Sequence, residues 1–131
     1  MPTIFNIGHS NRSIDEFLNL LKSNGINILV DVRRFPTSKF EPFKKDSLSK
    51  SLRDAGIEYL YLGKELGGFR PFGYKAYAET EDFGKALREL EIVAEKSLTC
   101  FMCAEKNPQS CHRKFIKEAL YYRGWEVVDI A

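Results

Sequence analysis

The sequence predicts an α/β fold: a single domain over residues 1–131 built on a mostly parallel five-stranded sheet with helices on both faces, a Rossmann-like three-layer sandwich. Three observations predict it. Short β-rich runs alternate five times with segments of helical period, without linkers or low-complexity tracts. The second run, NILVDVRRF, is nearly continuous in β-branched or large apolar residues, as a strand covered on both faces must be. A chain of 131 residues, 44% hydrophobic and 29% charged, can bury one core without cross-links.

The first strand is read at 3–8, TIFNIG, ending at Gly8. Ser13 and Glu16 then form a capping-box pattern before a helix that buries Ile14, Phe17, Leu18 and Leu21 and stops near Gly25. After the second strand Pro36 breaks the chain, and a loop with Ser38, Lys39, Phe40, Pro42 and Phe43 leads to a helix at about 47–55, with Leu48 and Leu52 inward and Gly56 as its stop. A third strand, IEYLYL, spans 57–62 and opens into the longest irregular stretch, GKELGGFRPFGYKAYAETED. Its aromatics, glycines and proline fit either a lid that contacts ligand or an Ω-loop that packs its aromatics on its own base. A helix at about 81–96 presents Phe83, Ala86, Leu87, Leu90, Val93 and Ala94 on one face. The apolar run from Leu98 to Met102 is the fourth strand, a helix at about 112–123 follows with Phe115, Ile116, Ala119 and Leu120 inward, and WEVVDI closes the sheet. Strand order does not follow from this pattern.

Composition narrows the function classes. A net charge of +2 and no polybasic tail give no sign of a large phosphate-backbone footprint, although nucleic acid stays open as a partner. Three cysteines, Cys100, Cys103 and Cys111, read as reduced thiols. The N-terminus has no basic region followed by a long apolar run, and no window reaches bilayer-spanning length. A cytoplasmic protein with no membrane partner is expected; oligomeric state is not encoded in any motif.

Chemistry concentrates where parallel strands end. Gly8 to Arg12, Asp31 to Arg34, Gly63 to Gly68 and Cys103 to Arg113 each follow a strand, so all should meet on one edge, where strand C-termini and helix N-termini favour an anion. Within LTCFMCAEKNPQSCHR, Glu105 follows the strand directly and is the first candidate for proton transfer, with Asp31 second and His9 a further partner. Arg12, Arg33, Arg34 and Arg113 can fork onto a phosphate or carboxylate. Equally, Asp31 can pair with Arg33 or Arg113 to tie strand to helix. Gly8, Ser10 and Ser38 in the loops, Gly67 and Gly68 in the long stretch, and His112 at the helix start complete the expected substrate-binding set.

Cys111, at a helix N-terminus beside His112, meets the electrostatic conditions for a nucleophile, yet a buried structural cysteine meets the same spacing. The phosphatase-like loop with an arginine six positions after a cysteine is missing, since Gln109 stands there relative to Cys103. His9, Cys103, Glu105, Cys111 and His112 include zinc-ligand types, but Cys100 and Cys103 fall on opposite strand faces and leave only one well-spaced pair. No metal and no cofactor are expected.

The pattern CAE-x-x-P-x-x-CHR, with NIGHSNRS at 6–13, DVRRFPTSKF at 31–40 and LGG at 66–68, resembles the domain of unknown function 488 family across nearly the whole chain. That resemblance implies a compact α/β domain and no particular reaction. From the residues, the expected function is a hydrolase or group transferase that acts by acid/base catalysis on an anionic substrate, a small molecule such as a nucleotide, or a nucleic acid. The alternatives are a non-enzymatic single-stranded nucleic-acid recognition domain that stacks bases on Phe69 and Tyr74, or a metal- or redox-linked sensor.

Overall fold

A computed structural model describes residues 2–36, 40–68, 70–105 and 112–130. Five strands, β1 (Thr3–Gly8), β2 (Ile28–Asp31), β3 (Glu58–Tyr61), β4 (Thr99–Cys103) and β5 (Glu126–Ile130), form one sheet in the order β3-β2-β4-β1-β5. Every pairing is parallel. The chain therefore travels one way from β1 to β3, then turns back to insert β4 in the centre and add β5 at the far edge.

That reversal dictates the layers. Right-handed crossovers require the connecting helices to change face when the chain changes direction, and they do. Helices α1 (Ile14–Ser23) and α2 (Lys45–Asp54) pack Phe17, Leu21, Leu48 and Leu52 against Ile7, Leu29, Cys100 and Met102 on one face. On the other face Phe83, Ala86, Leu87, Leu90, Ile116 and Leu120 pack against Ile4, Val30, Phe101 and Cys103. They come from α5 (Glu81–Lys96) and α6 (Arg113–Tyr122), numbered after the one-turn helices α3 (Gly63–Leu66) and α4 (Tyr74–Tyr77). Cys100 and Cys103 do face opposite ways, as their spacing on a strand requires.

Local signals set the helix ends. The Ser13 hydroxyl accepts from the Glu16 N–H at 3.1 Å and starts α1, and Thr80 does the same for α5 through Phe83 at 3.2 Å. Past α2, Gly56 takes φ +79°, a conformation that costs glycine least.

Two sequence expectations need correction. The second strand stops at Asp31 rather than running through NILVDVRRF, because the Asp31 carboxylate accepts from the Arg33 N–H at 3.0 Å and bends the chain away from the ladder. The stretch after β3 is not without regular structure. It contains α3 and α4, and the Tyr74 hydroxyl donates to the Leu66 carbonyl at 2.7 Å to fasten one turn to the other.

Candidate functional site

Register aligns the strand ends into one row. Gly8 lies opposite Cys103, and Met102 lies opposite Asp31, which lies opposite Tyr61. Beyond that row the connections leave to alternate faces: β1 and β2 lead to α1 and α2, whereas β3 and β4 lead to α5 and α6. Neighbouring loops thus leave the rim toward opposite faces, the arrangement that favours a crevice at strand C-termini.

The β1 side of the crevice is a tight loop. His9 N–H donates to the Cys103 carbonyl at 3.0 Å and Ser10 N–H to the Ala104 carbonyl at 2.8 Å, so the β1–β4 pairing continues past the strands. Ser10 takes φ +48°, the left-handed conformation that turns the chain toward α1. His9 is 2% exposed and lies flat on Phe43, with ring centroids 4.5 Å apart and planes 6° from parallel. Its Nδ1 donates to the Ser10 carbonyl at 2.8 Å. The acceptor is a carbonyl, so Nδ1 carries the proton and Nε2 holds a lone pair. Nε2 is buried and has no hydrogen-bond partner among the described residues. Burial lowers the His9 pKa, which keeps the imidazole neutral. Arg12, at the other end of the loop, donates from Nε to the Gly8 carbonyl at 3.2 Å, while its buried Nη2 also has no partner among the described residues.

Behind Phe43 lies a fully buried ion pair. Asp31 Oδ1 accepts from Arg33 N–H and from Nε at 2.9 Å; Oδ2 accepts from Arg33 Nη2 at 2.8 Å and from the Tyr59 hydroxyl at 2.6 Å. All four lone-pair directions of the carboxylate are taken. Arg33 in turn donates from Nη1 to the Phe43 carbonyl at 2.6 Å, which sets the ring on which His9 rests. Asp31 and Arg33 are thus paired with each other, one of the pairings the sequence allowed, and together they back the Phe43 ring. Burial, with the Asp31 charge alongside, raises the Tyr59 phenol far above its ordinary value, so it stays protonated as the donor.

On the opposite face His112 donates from Nε2 to the Val32 carbonyl at 2.9 Å and packs against Tyr74, centroids 5.2 Å apart. Gly68 lies against its Nδ1 edge. Arg113, 1% exposed at the first position of α6, donates from Nη1 to Asn6 Oδ1 at 2.8 Å and from Nη2 to the Glu105 carbonyl. Asn6 passes the connection on to Asp129 at 2.6 Å. The Glu105 side chain is exposed and its carboxylate has no partner among the described residues. Gly67 is buried under α3, where a Cβ would overlap the Arg34 Cα and the Gly63 carbonyl.

The described parts of the four polar segments lie beyond one row of strand ends, with Gly8, His9, Ser10 and Arg12 beside Ala104 and Glu105, and Arg33, Arg34, Gly67, Gly68 and His112 behind and across. Cys111, Ser38 and Phe69 lie outside the described residues. Of the long stretch's described aromatics, Tyr74 and Tyr77 pack inward and Phe72 is exposed: Tyr74 stacks on Phe115 at 5.4 Å and meets Tyr77 and Phe83 edge-on. Sequence reasoning passed over three contributors: Phe43, Tyr59 and Asn6. Only Asn6 left a signal, as a lone amide inside an apolar strand.

No group of three or more His, Cys, Asp or Glu side chains poised to hold a metal occurs among the described residues. No described helix is long and apolar enough to cross a membrane. Comparison with curated proteins and with solved structures yields no match. A family model does match, and from residue 13 to residue 120 it covers α1 to α6 with β2, β3 and β4 between them: the chain belongs to the family described as Domain of unknown function DUF488.

Proposed function

We propose that the β1–β4 crevice binds an anionic substrate and that His9 acts on it as a general base in a hydrolysis or group transfer. One observation carries the reading: within a single four-residue loop, a buried imidazole nitrogen with a free lone pair and a buried guanidinium nitrogen both have no partner among the described residues. Leaving buried polar atoms unpaired costs about 1–3 kcal/mol each, and a bound substrate recovers it. A ligand that satisfies both must present a proton to His9 Nε2 and negative charge to Arg12, as a phosphorylated alcohol or a nucleotide with an attacking water does.

The chemistry then follows from the fixed tautomer. Nε2 takes a proton from the attacking hydroxyl or water as the new bond to the electrophilic centre forms. The imidazolium, held by its Nδ1 bond to Ser10, returns that proton to the departing oxygen. Arg12 offsets the developing negative charge, and Glu105 at the mouth exchanges protons with solvent. Ser10, Gly8, Arg34, His112 and Gly68 border the space the substrate occupies, while Asp31, Arg33 and Arg113 hold the walls.

The test is a panel of phosphate monoesters, phosphodiesters and nucleotides assayed with wild-type protein and with His9→Gln, which keeps a similar volume but has no basic nitrogen. The expected result is turnover that falls at least about a hundredfold in His9→Gln, with Arg12→Ala mainly raising KM. Turnover unchanged in a folded His9→Gln protein would remove His9 from the chemistry.

A further inference from the structure

Resting on the reading just given, we infer that the substrate is single-stranded nucleic acid, and that Phe72 and Phe35 on the rim are its base-stacking platforms. Phe72 is 91% exposed and Phe35 61%. Neither is on a loosely held excursion. The turn that carries Phe72 is closed by Gly73 N–H donating to the Arg70 carbonyl at 3.0 Å, and Arg70 is itself fixed by bonds from Nε to the Gly67 carbonyl at 2.9 Å and from Nη2 to the Lys64 carbonyl at 2.8 Å. The Arg70 guanidinium lies 3.8 Å from the Tyr77 ring centre. Tyr74 and Tyr77, two and five residues on, turn inward, so Phe72 is kept out of the same aromatic cluster although the chain passes beside it. The Phe35 loop connects to this turn through Gly67, which packs on the Arg34 backbone and accepts from Arg70.

Charge on the same rim matches the sugar–phosphate backbone. Arg12, Arg34, Lys45, Lys64 and Arg70 are in no ion pair among the described residues. Lys85, Lys117 and Arg123, on α5, α6 and just beyond it, each hold a carboxylate. Against the rim cations stand Glu65, Glu105 and Glu41, the last already held by Lys44 at 3.0 Å. Two cations also sit against aromatic rings: Arg34 is 6.0 Å from the Phe35 ring centre and Lys45 is 4.9 Å from that of Tyr61. Exposed π-faces interleaved with unpaired cations are what a single strand engages without sequence readout. Along the chain Phe35 follows β2, Phe72 follows β3, and His9 and Arg12 follow β1. Three inter-strand steps of about 4.8 Å separate the two ends, so a strand of a few nucleotides stacked at the β3 end delivers its reacting group to His9.

The experiment is fluorescence anisotropy with fluorescein-labelled oligo(dT) and oligo(U) twelve-mers, at low salt and at several-fold higher salt. Wild-type protein is expected to bind at low salt and to weaken as salt rises. Phe72→Ala and Phe35→Ala should each weaken binding about tenfold, while Tyr121→Ala, at an exposed tyrosine on α6, leaves it unchanged. Phe72 is 91% exposed, so the melting temperature of Phe72→Ala should match wild type. The inference is overturned by no binding at low salt, or by equal binding in the Phe72→Ala/Phe35→Ala double variant, which would mean charge alone. His9-dependent turnover of mononucleotides by a protein that binds neither oligonucleotide would likewise overturn it, and would leave the general-base reading standing.

Discussion

His9 is buried in its neutral form, and this has a measurable thermodynamic signature. Desolvation lowers its pKa below the ordinary 6.5; the Ser10 hydrogen bond opposes this, Arg33 reinforces it and Asp31 opposes it, with a net downward shift. In the unfolded chain the imidazole takes up a proton at its ordinary value, whereas the folded protein takes it up only at lower pH. The unfolded state therefore binds more protons through that window, and the stability conferred by neutral His9 is present above pH 6.5 and lost as pH falls below it. Melting temperatures measured from about pH 7 down to about pH 5 should fall more steeply for wild type than for His9→Gln. Parallel curves would mean that His9 is already solvated. Asp31, buried alongside, is held differently: with Arg33 and Tyr59 occupying both oxygens, its carboxylate is acceptor-saturated.

At the level of elements, α3 shows how two neighbouring glycines that look alike in sequence differ in the fold. Gly67 is buried where its Cα presses on the Arg34 backbone, and any side chain would overlap main-chain atoms that cannot move aside. Gly68 meets only the His112 ring, with its nearest atom 3.5 Å from where a Cβ would lie. Gly67→Ala should cost about 2–3 kcal/mol in chemical denaturation, and Gly68→Ala less than about 0.5 kcal/mol. Equal costs would mean that α3 slides freely over the β2 loop. The close contact also makes α3 a fixed wall of the crevice, which the reading of Gly67 and Gly68 as part of a closing loop did not include. A comparable bolt holds α5 to the end of α6, where Glu91, 5% exposed, accepts from Arg123 Nε at 2.9 Å and Trp125 Nε1 at 2.8 Å.

Across the whole molecule, the sheet order places three interior strands, β2, β4 and β1, between the hydrophobic layers. Strands β2, β4 and β1 are hydrogen-bonded on both sides, and every residue of β4, the middle strand, is buried; β3 and β5 are edges with mostly exposed or half-buried residues. Native-state hydrogen exchange should therefore be slowest at Phe101 and Met102 in β4 and Asn6 and Ile7 in β1, and faster in β3 and β5. Slowest exchange in an edge strand would contradict this order. The candidate site sits at the end of these most stable strands, with His9 and Ser10 extending their hydrogen-bond ladder. Its groups are thereby held on the stiffest part of the fold while the outer rim loops carry the exposed aromatics.

How much of this was legible beforehand depends on the range of the forces involved. Hydrophobic periodicity, Ser13 as a cap and Gly56 as a stop are short-range signals, so the sequence determined the alternation of strands and helices and the placing of four polar segments after strand ends. A strand's neighbours, by contrast, are chosen by packing between residues far apart in the chain, so only the tertiary structure put β4 between β2 and β1. The same holds for the site. Asp31 and Arg33 were visible as charges, but their engagement with each other depends on Tyr59 and Phe43 arriving from other elements. His9 stands apart from them because burial removed water from its Nε2 without supplying a partner among the described residues, and burial is a property no local stretch of sequence specifies.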